Sequence, residues 1–161
     1  MRERFYAPMR KETIVLNKEM LQEYLWGQIP ISKAMGIEVL ETGQHQVTIR
    51  APLSANKNHM QTVFGGSACA VAMLSAWSLL YLRLRSEEIA PQLVLHKTAV
   101  TFERPITDTF TATTMFNDEP VWKEFVSTLT VKKKAGIHLS STLRCNGVEV
   151  GKFDGDFVSY F

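Results

Sequence analysis

The sequence predicts an α+β domain in which one long apolar helix is wrapped by a curved antiparallel sheet. The segment from about Gly66 to Arg83 is apolar on every face, which is the composition expected of a helix at the centre of a core. Strand-like segments stand before and after it, joined by turn residues. A flat sheet would cover only one side of such a helix, so we expect the sheet to curl and a second copy to close the rest as a dimer.

Length and composition restrict the function classes. The chain has 161 residues, of which 45% are hydrophobic and 21% charged, and 18 basic against 16 acidic residues give a net charge of +2. This composition excludes disordered, collagen-like and coiled-coil chains, and the near-neutral balance gives no case for nucleic acid as a partner. We divide the chain into a flexible arm at 1–12 and a single domain at 13–161.

The elements follow in order from periodicity and turn chemistry. Asn17 caps a helix whose apolar residues recur at three- and four-residue steps until Pro30 closes it. From Gly36 the period falls to two, which predicts a hairpin turning at Thr42-Gly43. After the long helix, strands are predicted at 92–104, 109–116, 121–134, 137–145 and 148–161. The predicted joints are Arg104-Pro105, 117–120, Ala135-Gly136 and the tight turn Asn146-Gly147.

Two observations bear on the compartment. The uncharged stretch from Met60 to Leu82 is long enough for a bilayer, but polar and glycine residues occupy its start, and we expect a core helix and no membrane span. The only cysteines, Cys69 and Cys145, lack zinc-ligand spacing. We expect free thiols in a reducing compartment, no metal site, no signal peptide and a cytoplasmic location.

The segment from Asn56 to Ser67, NKNHMQTVFGGS, resembles the active-site loop of the hotdog fold. Over about residues 17–160 the chain is similar to the "putative thioesterase" hotdog domains. These domains occur alone or fused behind an acetyltransferase-type domain, and some are regarded as malonyl-acyl-carrier-protein decarboxylases. The stretch from Thr101 to Ile106, TFERPI, resembles the strand end common in hotdog acyl-CoA enzymes. The resemblance implies a hotdog homodimer, or a higher assembly, acting on acyl-CoA or acyl carrier protein. Coenzyme A or phosphopantetheine is then part of the substrate, and no separate cofactor is expected.

The match to the broader small thioesterases is partial. Asn58 falls seven residues before Gly65, as in those enzymes, but their histidine before the glycine pair is Phe64 here, and their helix carboxylate falls on Met73. Between Glu41 and Glu87 there is no acidic residue. Neither the loop nor the long helix therefore supplies a carboxylate as general base.

The helix start can nevertheless stabilise negative charge on a carbonyl oxygen. The first amides of a helix are unsatisfied and lie at the positive end of its dipole, and the Asn58 side chain can add a donor. We predict Asn58, His59, Gly66 and Ser67 as catalytic residues, and Val63, Phe64, Gly65, Met73 and Arg104 as substrate-binding residues. His59 can exchange a proton near neutral pH. The structural alternative is that the glycines only permit a tight turn, Asn58 only caps it, and His59 only bonds within the loop.

Three functions stay open at this point. An oxyanion in hydrolysis and an enolate in decarboxylation place charge on the same oxygen, but hydrolysis also needs an activated water. The missing base therefore favours decarboxylation of a malonyl thioester on acyl carrier protein. Acyl-thioester hydrolysis is the alternative if Asp108, Asp118 or Glu119 reaches the loop. A non-catalytic acyl-binding protein is the third possibility. Acetyltransferase activity ranks last, because we find no pyrophosphate-binding turn in the sequence.

Other reactive side chains receive structural interpretations. We expect His45, His96 and His138 to lie in strands without carboxylate partners, and Cys69 to belong to the core. The basic run at 132–134 is either a solvated strand end or an anion site for coenzyme A phosphates or an acidic carrier protein.

Overall fold

The architecture is a long helix packed on a six-stranded antiparallel sheet. The computed structural model describes residues 17–161, so the predicted arm at 1–12 and the first residues of the predicted domain lie outside the described residues. The elements are α1 (Lys18–Gln28), α2 (Pro30–Ala34), β1 (Glu38–Thr42), β2 (Gln46–Ala51), α3 (Gly65–Ser86), β3 (Gln92–Phe102), β4 (Phe110–Met115), α4 (Glu119–Lys132), β5 (Lys134–Cys145) and β6 (Val148–Tyr160).

The first helix begins where the sequence predicts. The Asn17 side chain accepts a hydrogen bond from the Met20 amide at 2.9 Å, which satisfies one of the unpaired amides of the first turn. Leu21 and Leu25 point from α1 into the core and are fully buried. As predicted, α1 ends before Pro30. Pro30 is the first residue of a second short helix, α2, where its fixed φ and missing N–H are tolerated.

The strands pair in the order β1-β2-β4-β5-β6-β3, and every pairing is antiparallel. The hairpin between β5 and β6 turns at Asn146 and Gly147, whose φ angles are 49° and 75°, which confirms the predicted tight turn. The predicted turn at Ala135-Gly136 is wrong, because both residues lie inside β5. The strand β3 comes last in the order, and among the strands of residues 17–161 it pairs with β6 alone.

The predicted long helix is α3, and it packs against β2, β3, β4, β5 and β6. It is the only described helix long and apolar enough to cross a membrane, and 67% of its most apolar window is buried inside the fold. Burial against the sheet accounts for that composition, as expected of a core helix.

One predicted element has the wrong type. Residues 121–134 are predicted as a strand, but the chain forms α4 there, begun by Asp118, whose side chain accepts from the Val121 amide at 3.0 Å. Trp122, Phe125 and Leu129 are buried on one face of α4. Burying these three against the rest of the core outweighs the β propensity of the valines and threonines around them.

A chain of buried hydroxyls fixes α3 to the sheet. Ser75 donates to the Val47 carbonyl oxygen at 2.9 Å, and Ser141 donates to that of Ala72 at 3.0 Å. The Thr114 hydroxyl lies between them, 2.8 Å from the Ser75 oxygen and 2.6 Å from the Ser141 oxygen. Because its one hydrogen can serve only one of these contacts, the network has three hydrogens for four contacts.

The C-terminal end of α3 is anchored by a buried arginine. Arg83 donates to the Gln44 carbonyl oxygen at 3.0 Å and to the Glu119 carboxylate at 2.8 Å. Its guanidinium lies 4.3 Å from the centre of the Trp122 ring, a cation–π contact. One side chain thus holds the β1–β2 turn and α4 on the end of α3, and its hydrogen bond lowers the pKa of Glu119.

Candidate active site

The N-terminal end of α3 is open. Phe64 stands at the N-cap position with extended φ and ψ of −64° and 128°, and no side chain from the described residues caps the helix. The amides of the first helical residues, including Gly66 and Ser67, therefore lack the intrahelical acceptor that later amides have. This arrangement leaves them available to an oxygen carrying negative charge.

Two phenyl rings lie against the glycine pair. A Cβ on Gly66 would come within 2.3 Å of the Phe64 ring, and one on Gly65 would come within 3.4 Å of the Phe102 ring. Both rings are exposed, Phe64 by 57% and Phe102 by 46%. Glycine at these two positions lets aromatic side chains pack directly on the start of α3.

Beside this helix start lies a cavity of about 410 Å³, which we call the site hollow. The loop before α3 and the segment after β3 line it, and the Val63 amide joins them by donating to the Ile106 carbonyl oxygen at 2.8 Å. The lining is mainly apolar, with one acid and one base: Met60, Thr62, Val63, Gly65, Phe102, Glu103, Arg104, Pro105 and Ile106.

Asn58 is engaged within its own loop. Its side-chain oxygen accepts from the amides of Met60 at 2.8 Å and Thr62 at 3.3 Å, while its nitrogen donates to the Thr62 hydroxyl at 3.0 Å. These bonds close a turn across which Lys57 and Val63 form a bridge. The same nitrogen also donates to the Val63 carbonyl oxygen at 3.5 Å, so the amide group would have to give up one of these two contacts in order to reach a substrate oxygen.

Asn56 is a loop residue without a role predicted from the sequence. It is 3% exposed, and its side-chain nitrogen donates to the carbonyl oxygens of Met35 at 2.8 Å and Pro52 at 2.7 Å. Its own carbonyl oxygen accepts from the Phe64 amide at 2.7 Å. Asn56 therefore fixes the loop on α2 and sets the position where α3 begins.

The structure gathers some of the predicted site residues and leaves others apart. Val63, Gly65 and Arg104 line the site hollow, and Phe64, Gly66 and Ser67 form the helix start next to it. The exposed His59 lies in the loop but not in the lining, and Met73 is half-buried two turns along α3.

The carboxylates named from the sequence lie elsewhere. Asp118 and Glu119 begin α4 near Arg83, and Arg83 is 17 residues, or about 26 Å, along α3 from Gly66. Asp108 accepts from the Thr109 amide at 2.7 Å and does not line the hollow. The acid that does line it is Glu103, which stands in the TFERPI segment and has no role predicted from the sequence.

Other titratable residues lie outside the hollow. His138 contradicts its prediction, because its Nδ1 lies 2.7 Å from the Asp156 carboxylate and its Nε2 lies 3.5 Å from that of Asp154. The cysteines are free, and burial raises the pKa of Cys69. Within residues 17–161, no group of three or more His, Cys, Asp or Glu side chains is placed to hold a metal ion.

The sheet around α3 and the open helix start define a protein of the hotdog class, and comparison with known proteins agrees. Residues 18–161 match the family model described as "Putative thioesterase (yiiD_Cterm)". The chain belongs to this family.

Solved structures show the same fold. A protein of unknown function from Chlorobaculum tepidum is 26% identical, with a TM-score of 0.84 over 89% of this chain and 93% of that one. A "putative thioesterase" from Shewanella oneidensis is 26% identical, with a TM-score of 0.79 over 89% and 97%. A "probable thioesterase" from Pseudomonas aeruginosa is 15% identical, with a TM-score of 0.77 over 92% and 99%, and supports the fold alone. These matches confirm the predicted hotdog fold and family.

Proposed function

We propose that the protein is an enzyme acting on acyl thioesters, with the thioester carbonyl oxygen held at the start of α3. The observation that carries this proposal is the uncapped helix N-terminus beside a largely apolar hollow. The Gly66 and Ser67 amides are the first donors to the oxygen, and Asn58 supplies another once its nitrogen leaves Thr62. Donors fixed in advance stabilise charge that develops on that oxygen.

The reaction we propose is decarboxylation of a malonyl thioester on acyl carrier protein. The bond between the malonyl Cα and its carboxylate breaks, carbon dioxide leaves, and the electron pair forms an enolate whose oxygen rests on the helix amides. A proton then returns to the carbon, with His59 as the donor we propose. An apolar lining disfavours the ionised carboxylate of the substrate, and no carboxylate from the loop or α3 is needed.

Hydrolysis is the second candidate, and one observation favours it. Glu103 lines the site hollow, so a carboxylate is available to activate a water. The variant Glu103→Gln separates the two reactions. Hydrolysis should fall by about 100-fold when a general base is lost, whereas decarboxylation should persist. Glu124→Gln, an exposed change on α4, is the matched control.

The direct experiment is mass spectrometry of the protein incubated with malonyl-carrier protein and, separately, with a panel of acyl-CoAs. Acetyl-carrier protein is the product expected from decarboxylation. Free thiol with released acid would instead establish hydrolysis. If every thioester stays intact, the enzyme proposal is wrong, and the protein is better described as an acyl-binding module.

We also propose that the protein works as a homodimer in the cytoplasm. The edge strand β3 has exposed residues along most of its length, and unpaired strand edges favour pairing with another chain. Exposed Met60, Phe64 and Phe102 add apolar surface at one end of it. Light scattering should give twice 18.2 kDa; a monomer at micromolar concentration would contradict this part of the proposal.

A further inference from the structure

A second cavity, of about 530 Å³, lies at the other end of β3. We call it the basic hollow. It is lined by two lysines and a histidine, Lys133, Lys134 and His96, together with Val94, Leu95, Val158, Tyr160 and Phe161. Val94 lies eight residues, or about 26 Å, along β3 from Phe102 in the site hollow. The two hollows are therefore separate places in one protomer.

Lys133 and Lys134 lie at the junction between α4 and β5. Lys133 ends α4 with a positive φ of 60°, and its carbonyl oxygen accepts from the Phe161 amide at 3.1 Å. Its ammonium lies 5.4 Å from the centre of the Phe161 ring. Lys134 is the first residue of β5 and pairs with Tyr160. The fold thus places two neighbouring lysines beside two aromatic side chains.

These lysines are not neutralised, unlike cations elsewhere on the same sheet. Lys152 lies 3.5 Å from the Asp154 carboxylate, and Arg144 lies 3.8 Å from that of Glu149. In the described part of the chain neither Lys133 nor Lys134 forms an ion pair with a carboxylate. Among residues 17–161, no acidic residue lines the basic hollow. An anion entering it would meet only positive or neutral side chains.

We propose that the basic hollow binds a nucleoside phosphate. The phosphate is held by Lys133 and Lys134, which act as point charges, and the base lies against Tyr160 and Phe161, since every base offers a face for aromatic stacking. The volume falls in the range of small-molecule pockets, roughly 300–1,000 Å³. Lysines that only protect a strand end or balance the α4 dipole would explain the charge, but not its convergence on a cavity with aromatic walls.

The same chemistry comes from two sources, a free nucleotide and the 3′-phosphorylated adenosine diphosphate of coenzyme A. If two β3 edges pair antiparallel, the start of one strand approaches the end of the other. The basic hollow of one copy would then lie toward the site hollow of its partner. The binding proposal itself depends neither on that pairing nor on the proposed reaction.

Calorimetric titration of the purified protein tests the proposal. The probes are 3′,5′-adenosine diphosphate, 5′-adenosine monophosphate, coenzyme A and inorganic phosphate, each at low and at raised salt. We expect saturable nucleotide binding that weakens with salt. The double variant Lys133→Ala/Lys134→Ala should weaken it by at least about tenfold, or 1.4 kcal/mol. Lys33→Ala/Lys123→Ala removes the same charge elsewhere and should leave it within about twofold.

Each result of the titrations supports or overturns the proposed nucleotide site. Stronger binding of 3′,5′-adenosine diphosphate and coenzyme A than of the monophosphate supports the proposal with coenzyme A as the source, and comparable binding supports it with a free nucleotide. Inorganic phosphate binding as well as the nucleotides would overturn the role of the aromatic rings. The absence of saturable binding at millimolar nucleotide, or equal affinity in the Lys133→Ala/Lys134→Ala protein, overturns the site. Capture of an acidic carrier protein without nucleotide binding also overturns it.

Discussion

Replacing Asn58 by aspartate separates its two possible roles, scaffold of the loop and donor to the substrate. Asp keeps a side-chain oxygen for the amides of Met60 and Thr62, which now bond to Asn58 at 2.8 and 3.3 Å. It loses the nitrogen that donates to the Thr62 hydroxyl at 3.0 Å. It also loses the longer donation to the Val63 carbonyl oxygen at 3.5 Å. Neutral hydrogen bonds on a half-exposed loop are worth about 1 kcal/mol each, so the melting temperature should fall by only several degrees.

The effect on catalysis should be much larger. Loss of one donor to a developing oxyanion typically costs about 100- to 1,000-fold in kcat, and Asn58→Asp should fall in this range for whichever thioester the protein consumes. Because a negative charge near the oxyanion also slows the reaction, Asn58→Ser is the uncharged companion. A serine hydroxyl can still accept from the Met60 amide. Single-turnover mass spectrometry gives the rate, and a Ser variant within about threefold of the natural protein would refute the donor role.

Three further predictions follow from the contacts described. Gly66→Ala places a Cβ 2.3 Å from the Phe64 ring; kcat should fall, and Phe64→Ala in the same chain should restore part of it, whereas no recovery would mean that the ring is not the obstacle. Glu119→Gln should flatten the acid side of the stability curve. Because the Arg83 hydrogen bond lowers the folded pKa of Glu119 from its ordinary value, its contribution to stability is complete above the unfolded pKa and is lost as pH falls through the folded pKa. Urea unfolding between pH 3 and 7 measures this, and an unchanged pH dependence would contradict it. Thr114→Val leaves no buried donor unpaired, because Ser75 and Ser141 still donate to backbone carbonyl oxygens, so it should lower the free energy of unfolding by only about 1 kcal/mol; a loss above about 3 kcal/mol would contradict this assignment of the hydrogens.

The sequence predicts the central helix, the hairpins β1–β2 and β5–β6 and the antiparallel strands that follow α3. It wrongly predicts a strand where the chain forms α4. The segment from Val121 to Lys132 is rich in valine and threonine, which favours a strand. The same segment also carries helical signals. Trp122, Phe125 and Leu129 recur at steps of three and four, and Asp118 precedes a proline at the helix start. Asp118 and Pro120 are typical of a turn, which is the prediction from the sequence, but Asp at the N-cap and Pro in the first turn are equally typical of a helix start.

The candidate site was predictable only in part. Residues close in the chain, such as Val63 and Gly65, were found because the loop motif contains them. Glu103 was not assigned a role because it reaches the hollow through a contact between distant segments, the Val63 amide on the Ile106 carbonyl oxygen at 2.8 Å. The engagement of Asn58 with Thr62 is likewise a matter of side-chain geometry. Spacing along the sequence does not determine either one.

The C-terminal end of α3 anchors the helix, whereas its N-terminal end leaves amides free for a ligand. This division explains how an uncapped helix start can be stable. At the C-terminal end, Arg83 is 5% exposed and joins the β1–β2 turn, Glu119 and Trp122. Further along, the hydroxyls of Ser75 and Ser141 bond to the sheet and to the helix itself. The N-terminal amides can stay unsatisfied because this anchoring holds the helix without them. Substitutions at the Arg83 end should therefore lower stability with little effect on kcat, and those at the Gly66 end should do the reverse.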